Sequence, residues 1–176
     1  MEETANKKLV LQQWKINNLW TLFLDRDGVV NQRKIGDYIT VVDEFEFLPG
    51  VLQAASLASR VFGKIIVVTN QQGIGKGLMT EEQLAQIHEH MIAKITEHNG
   101  RIDKVYFSPY LAENNHHTRK PNPGMAVQAA KEFPEISFKR SIMLGDSASD
   151  MEFARTLGMK TVFIGNPEEM EITENQ

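Results

Sequence analysis

The chain has 176 residues, enough for one domain but not for two large ones, and 41% of them are hydrophobic and 24% charged, the balance of a soluble globular protein. Its 19 Lys and Arg against 23 Asp and Glu leave a formal charge of −4, which argues against a protein that coats nucleic acid, since neutralising phosphates takes a basic face. There is no Cys, which excludes disulfides, thiol catalysis and Cys-ligated zinc or iron–sulfur sites.

At the N-terminus Lys7 and Lys8 precede a short apolar run, Leu9 to Leu11, that Gln12 and Gln13 interrupt. An export signal needs about 7–15 apolar residues there, and no stretch approaches the roughly 18 of a membrane span. The expectation is a cytoplasmic protein without a membrane partner, with residues 1–18 as an N-terminal extension and 19–176 as a single domain. Trp14 and Trp20 suggest that the extension packs on the body.

Mostly apolar runs over 19–24, 64–69, 105–107, 141–144 and 160–164 predict five strands, and runs of this kind belong to parallel sheets covered on both faces. Amphipathic segments lie between them. One helix starts near Pro49 and carries Val51, Leu52, Ala55 and Val61 inward. The next opens at Thr80 with Gln83 as a capping box and runs on Leu84, Ile87, Met91 and Ile95 to Gly100. A third begins at Asn122-Pro123 and ends before Pro134, and a fourth runs from about Ser149 to Leu157, capped by Gly158. Alternating strands and helices predict an α/β fold with an open, doubly wound, Rossmann-like parallel sheet. The acidic end from Glu168 to Gln176 reads as a solvated tail.

Ligands of such sheets bind at the carboxyl ends of the strands, where the strand order reverses. The first strand delivers Asp25 and Asp27, which point the same way while Arg26 turns aside. Two neighbouring carboxylates call for a cation between them, and Mg²⁺ takes oxygen ligands. The second strand delivers Thr69 and Asn70, the fourth Asp146, and Lys120 precedes a helix start. Carboxylates, a hydroxyl and a lysine at neighbouring strand ends make a phosphoryl-transfer site, in which an Asp attacks phosphorus while Mg²⁺ and Lys spread the charge.

The segments Phe23-Leu-Asp-Arg-Asp-Gly-Val-Val-Asn31, Val67-Val-Thr-Asn70, Arg119-Lys-Pro121 and Leu144-Gly-Asp-Ser-Ala-Ser-Asp150 resemble the four ordered motifs of the haloacid dehalogenase (HAD) superfamily. More narrowly, Phe45 to Gly50, Thr69 to Ile74 and Arg119 to Met125 are similar to the D-glycero-D-manno-heptose 1,7-bisphosphate phosphatases and the related histidinol-phosphate phosphatases, which are nearly capless. The resemblance implies Asp25 as nucleophile, Asp27 as general acid and base and, through its backbone carbonyl, a Mg²⁺ ligand. It further implies Asp146 as the third Mg²⁺ ligand and Thr69, the Asn70 backbone and Lys120 as phosphate holders. Arg119 would contact substrate and Asp150 would be a supporting carboxylate. An acid in the first turn of a helix is also favourable to the dipole, so Asp150 stays open between the two roles.

These families usually carry a zinc loop of three Cys and one His before the Arg-Lys-Pro motif. Here residues 108–118 are short and hold only His116 and His117, a poor tetrahedral site, so zinc is expected to be absent. Gly73 to Gly77 lacks the Lys-Ser/Thr ending of a P-loop and reads as a flexible loop beside the site, and His88-Glu89-His90 reads as solvated surface. The sequence thus predicts a Mg²⁺-dependent phosphomonoesterase for a small phosphorylated metabolite, most simply a sugar bisphosphate. Histidinol phosphate is the alternative substrate, and a non-catalytic phospho-ligand module the alternative of another class. A polynucleotide 3′-phosphatase is disfavoured by the charge, and nothing identifies a protein partner.

Overall fold

The computed structural model describes residues 13–165, so the apolar run at 9–11 and the acidic tail lie outside the described residues. Five parallel strands form one sheet in the order β3-β2-β1-β4-β5: β1 Thr21–Leu24, β2 Lys64–Asn70, β3 Lys104–Ser108, β4 Ser141–Gly145 and β5 Lys160–Phe163. The chain winds outward from β1 to β2 and β3, then returns to the other side of β1 for β4 and β5, which is the doubly wound sheet expected. Strand order reverses at β1 and β4, paired with Leu24 opposite Leu144. That pairing brings Asp25 and Asp146 to one end of the sheet.

Alternation along the strands divides the core. Phe23, Ile66, Val68 and Met143 face α4 (Gly124–Glu132) and α5 (Ala148–Thr156), packing on Met125, Ala126, Ala129, Phe153 and Ala154. Val67 lies on the opposite face, beneath Leu84, Ile87, Met91 and Ile95 of α3 (Glu81–Glu97), and Val51, Leu52 and Ala55 of α1 (Val51–Val61) complete that layer. Trp20, Leu22 and Ile65 make a third cluster, on which Trp14 and Ile16 pack.

The local signals hold with small corrections. Thr80 and Gln83 form the capping box at the start of α3. Gly100 does not take the left-handed turn that ends this helix; Asn99 does, at φ 61°, and Gly100 is needed because a Cβ there would press on Ile95 and Ala55. Val61 is 41% exposed rather than inward, because it sits on the last turn of α1 where the helix leaves the sheet. Leu19 is exposed and β1 begins at Thr21. Gln72–Gly75 is a helical turn, α2, directly after β2, where the sequence reading of Gly73 to Gly77 as a loop has no helix. His88 faces inward, whereas a solvated surface was expected: α3 turns this position under the sheet end, next to Ile87.

Candidate active site

Immediately after β1 the chain turns sharply. The Arg26 carbonyl accepts the backbone N–H groups of Val29, Val30 and Asn31, at 3.3, 2.8 and 3.1 Å. Gly28 makes this turn at φ +86°, and a Cβ there would run into the Asp146 carboxylate. The Asp-Arg-Asp-Gly segment is thereby folded against the end of β4.

Asp25 is buried and accepts the Arg26 backbone N–H at 2.7 Å. Lys120, 3% exposed, extends its Nζ to Asp25 Oδ1 at 2.8 Å, Asp150 Oδ1 at 2.6 Å and the Val68 carbonyl at 2.9 Å. Burial pushes the Asp25 carboxyl up to about 7 against the pull of Lys120, with Asp150 and Asp146 adding to the rise. Burial alone would lower the Lys120 ammonium, but Asp150 and Asp25 raise it, so the lysine stays charged. Asp150 also completes a capping box with Ser147 at the start of α5. The two roles left open for it therefore coexist geometrically: it caps the helix with Oδ2 and meets Lys120 with Oδ1.

Asp27 is held from several sides. Its Oδ1 accepts from Arg26 Nη2 at 2.8 Å and Asn31 Nδ2 at 2.9 Å, and its Oδ2 accepts from Gln71 Nε2 at 2.8 Å. The same Gln71 nitrogen donates to Thr69 Oγ1 at 2.9 Å. Burial would raise the Asp27 carboxyl, but Arg26, Asn31 and Gln71 together hold it below the usual carboxylate value. Arg26 does not turn aside: its guanidinium folds back to Asp27 inside the protein. Gln71 and Asn31 went unnoticed in the sequence, although Gln71 adjoins the Thr-Asn pair and Asn31 closes the first motif.

Asp146 accepts from Arg33 Nη2 at 2.7 Å, and that nitrogen also reaches the Asp27 backbone carbonyl at 3.4 Å. Burial raises the Asp146 carboxyl to about 6, with Arg33 pulling the other way. Among the described residues, Asp25, Asp146 and Asp150 each offer a carboxylate oxygen within 4.8 Å of the others. The donor set is all oxygen, and the Arg33 cation already bridges Asp146 and the Asp27 carbonyl. Asp25, the Asp27 carbonyl and Asp146 therefore fit a hard divalent cation. Asp150 is committed to Lys120 and Ser147.

A cavity of about 420 Å³ opens beside these groups, and Thr69, Gln71, Lys120, Lys34, Lys76 and Arg119 are among the residues that line it. Arg119 Nη1 donates to the Tyr110 carbonyl at 2.9 Å. The Asn70 side chain points elsewhere, exchanging hydrogen bonds with the Lys120 backbone at 3.1 and 3.0 Å, which fixes the lysine and leaves the Asn70 backbone at the cavity. His116 stacks on Tyr110, ring centres 3.5 Å apart, and its Nδ1 pairs with Thr118 Oγ1.

Residues 117–171 match the HAD-hydrolase-like family. The D-glycero-alpha-D-manno-heptose-1,7-bisphosphate 7-phosphatase of Mycobacterium bovis is 38% identical over 138 residues, 78% of this chain and 73% of the relative. The D-glycero-beta-D-manno-heptose-1,7-bisphosphate 7-phosphatase of Helicobacter pylori (strain 26695) is 35% identical over 137 residues, 77% of this chain and 78% of the relative. Among solved structures, the D,D-heptose 1,7-bisphosphate phosphatase of B. bronchiseptica, complexed with magnesium and phosphate, superposes with a TM-score of 0.80 at 29% identity, covering 88% of this chain and 86% of that one. Fold, strand-end carboxylates and relatives agree: the chain belongs to the HAD-type phosphatases, in the family of the heptose-bisphosphate phosphatases.

Proposed function

We propose that the chain is a cytoplasmic, Mg²⁺-dependent phosphomonoesterase that acts through an aspartyl phosphate on Asp25 and prefers a sugar bisphosphate of the heptose type. The observation that carries this reading is a pair of carboxylates with different surroundings at one cavity. Asp25 lies 2.8 Å from the Lys120 ammonium, while Asp27 is gripped by Arg26, Asn31 and Gln71. The first suits a nucleophile and the second a proton carrier.

In the first step an Asp25 oxygen attacks phosphorus and the bond to the sugar oxygen breaks, that oxygen taking a proton from Asp27, whose carboxyl is charged in the free site and binds this proton when the anionic substrate enters beside it. In the second, water attacks the phosphoryl group on Asp25, Asp27 takes back a proton, and phosphate leaves with Asp25 free again. Oδ1 of Asp27 accepts from both Arg26 and Asn31, whereas Oδ2 accepts only from Gln71, so Oδ2 is the oxygen with room to carry the proton. Lys120, the Thr69 hydroxyl and the Asn70 backbone hold the transferring group and oppose its developing charge. Asp25, the Asp27 carbonyl and Asp146 would hold Mg²⁺, which would supply further neutralisation of the phosphoryl oxygens.

The cavity is of the size that takes a sugar phosphate. Arg119, Lys34 and Lys76 in its lining suit a second phosphate, which Arg119 can meet with a planar fork. The names of the relatives point the same way. The test is a kinetic panel of sugar bisphosphates, sugar monophosphates and histidinol phosphate, repeated with Arg119→Ala. The largest kcat/KM is expected for a heptose bisphosphate, with loss of the bisphosphate preference in the variant. A lead of about tenfold for histidinol phosphate, about 1.4 kcal/mol of discrimination, would replace the substrate assignment. No turnover of any phosphoester by folded protein, with Mg²⁺, would favour a binding module instead. Zinc has no part in this chemistry, so elemental analysis should find it substoichiometric and a zinc chelator should leave the rate unchanged.

A further inference from the structure

Arg26 is only 1% exposed, yet it carries a charge into the protein. Its Nη2 donates to Asp27 Oδ1, its Nη1 lies 3.3 Å from His88 Nε2, and its guanidinium sits 6.0 Å from the centre of the Phe45 ring. Its Nε has no partner among the described residues. The planar fork is therefore fixed at two tips only, one on Asp27 and one on His88. A guanidinium has no acceptor, so His88 Nε2 must accept, which leaves the ring neutral with its proton on Nδ1. His88 is 8% exposed, belongs to α3 and tilts against Phe107, well anchored but outside the cavity lining. The reaction gives this buried imidazole no task of its own.

We propose that His88 is a positioning residue for proton transfer: through Arg26 it fixes the carboxylate of Asp27. The inference rests on the acid and base role given to Asp27 above. Without the acceptor on His88, Nη1 joins Nε as a second unpartnered buried donor, and the fork turns to relieve it. Asp27 Oδ1 follows the fork, and Oδ2 loses its aim at the leaving oxygen. Such a shift matters where the leaving group needs a proton and little where it does not.

The test uses kcat/KM, which reports steps up to release of the leaving group, on p-nitrophenyl phosphate and on the sugar phosphate that the unaltered chain uses best. His88→Leu should lower the sugar phosphate value about tenfold or more and the p-nitrophenyl value less than about threefold. His88→Gln, whose amide oxygen restores an acceptor, should keep the ratio of the two within about threefold of the unaltered chain. Arg26→Lys, which keeps the charge but loses the fork, should reproduce the selective loss, and His88→Leu added to it should change nothing further. If His88→Leu does not fold, the Arg26→Lys and His88→Gln ratios decide alone. Equal losses on both substrates, or no loss, would overturn the positioning role while leaving the phosphatase standing. No turnover of either substrate by the unaltered chain would overturn the phosphatase reading itself.

Discussion

Asp25 and Asp27 lie two residues apart and differ in every contact they make. Asp25 faces a lysine shared with Asp150, and Asp27 faces an arginine, two amides and no lysine. Asp27→Asn should therefore lower kcat/KM on the alkyl phosphate about a hundredfold and on p-nitrophenyl phosphate far less, and equal losses would remove the acid role. His88 allows a separate test by pH. Its ring is held down to about 3 by burial and then by Arg26, whereas in the unfolded chain it titrates near 6.5. Between those values the unfolded chain binds a proton that the folded one does not. Stability from this group is thus complete above about pH 6.5 and falls as pH drops, by about 1.4 kcal/mol per pH unit. Urea denaturation from pH 7 to about 4.5 should show a shallower loss in His88→Gln than in the unaltered chain, and parallel curves would contradict a neutral, buried His88. The carboxylates, Lys120 and Arg119 were legible because each belongs to a compact motif. Arg26 with His88 and Arg33 with Asp146 were not, since these partners stand 62 and 113 residues apart and meet only through the fold.

The helices that flank the sheet differ in what their caps do. At the start of α3 the Thr80–Gln83 box faces solvent, away from the cavity. At the start of α5 the box is built from Ser147 and Asp150, and Asp150 also meets Lys120. Thr80→Ala should cost about 1 kcal/mol in denaturant unfolding and leave kcat/KM within about twofold. Ser147→Ala should cost a similar amount and also lower kcat/KM at least about fivefold, because the freed Asp150 no longer holds the lysine in place. Equal activities in the two variants would separate α5's cap from the chemistry. Strands and helices were readable within a residue or two, since apolar runs and capping residues act locally. The direction of single side chains at helix ends was not: Val61 turns outward and His88 inward on segments whose apolar faces were otherwise assigned correctly. The helical turn at Gln72–Gly75 also escaped, because two glycines in a four-residue segment carry no helical periodicity.

At the scale of the molecule, a chain of net charge −4 lines its cavity with Lys34, Lys76 and Arg119. Lys34 is partly neutralised by Glu44 at 2.6 Å, and Lys76 lies over the Tyr38 ring at 5.3 Å, while Arg119 turns one nitrogen to the Tyr110 carbonyl. A bisphosphate, with about twice the charge of a monophosphate, should feel this field more. Raising the salt from about 0.05 M to about 0.5 M should therefore raise KM for a sugar bisphosphate more than for its monophosphate, with kcat little changed. Equal shifts would mean that these cations do not read a second phosphate. The doubly wound parallel sheet itself was foreseeable, because continuous apolar strands require cover on both faces and alternating helices supply it, but the order of its strands was not. Among the described residues no helix is long and apolar enough to cross a membrane.

In the proposed reaction phosphate passes through a covalent bond to Asp25. The direct measurement is to mix the protein, Mg²⁺ and a ³²P-labelled substrate, quench in acid within one turnover, and map the labelled peptide. An acid-stable, hydroxylamine-sensitive label is expected on the peptide that carries Asp25, absent from Asp25→Asn, which should still bind inorganic phosphate. Full turnover by the unaltered chain with no labelled peptide, or with the label on another residue, would contradict the covalent bond to Asp25.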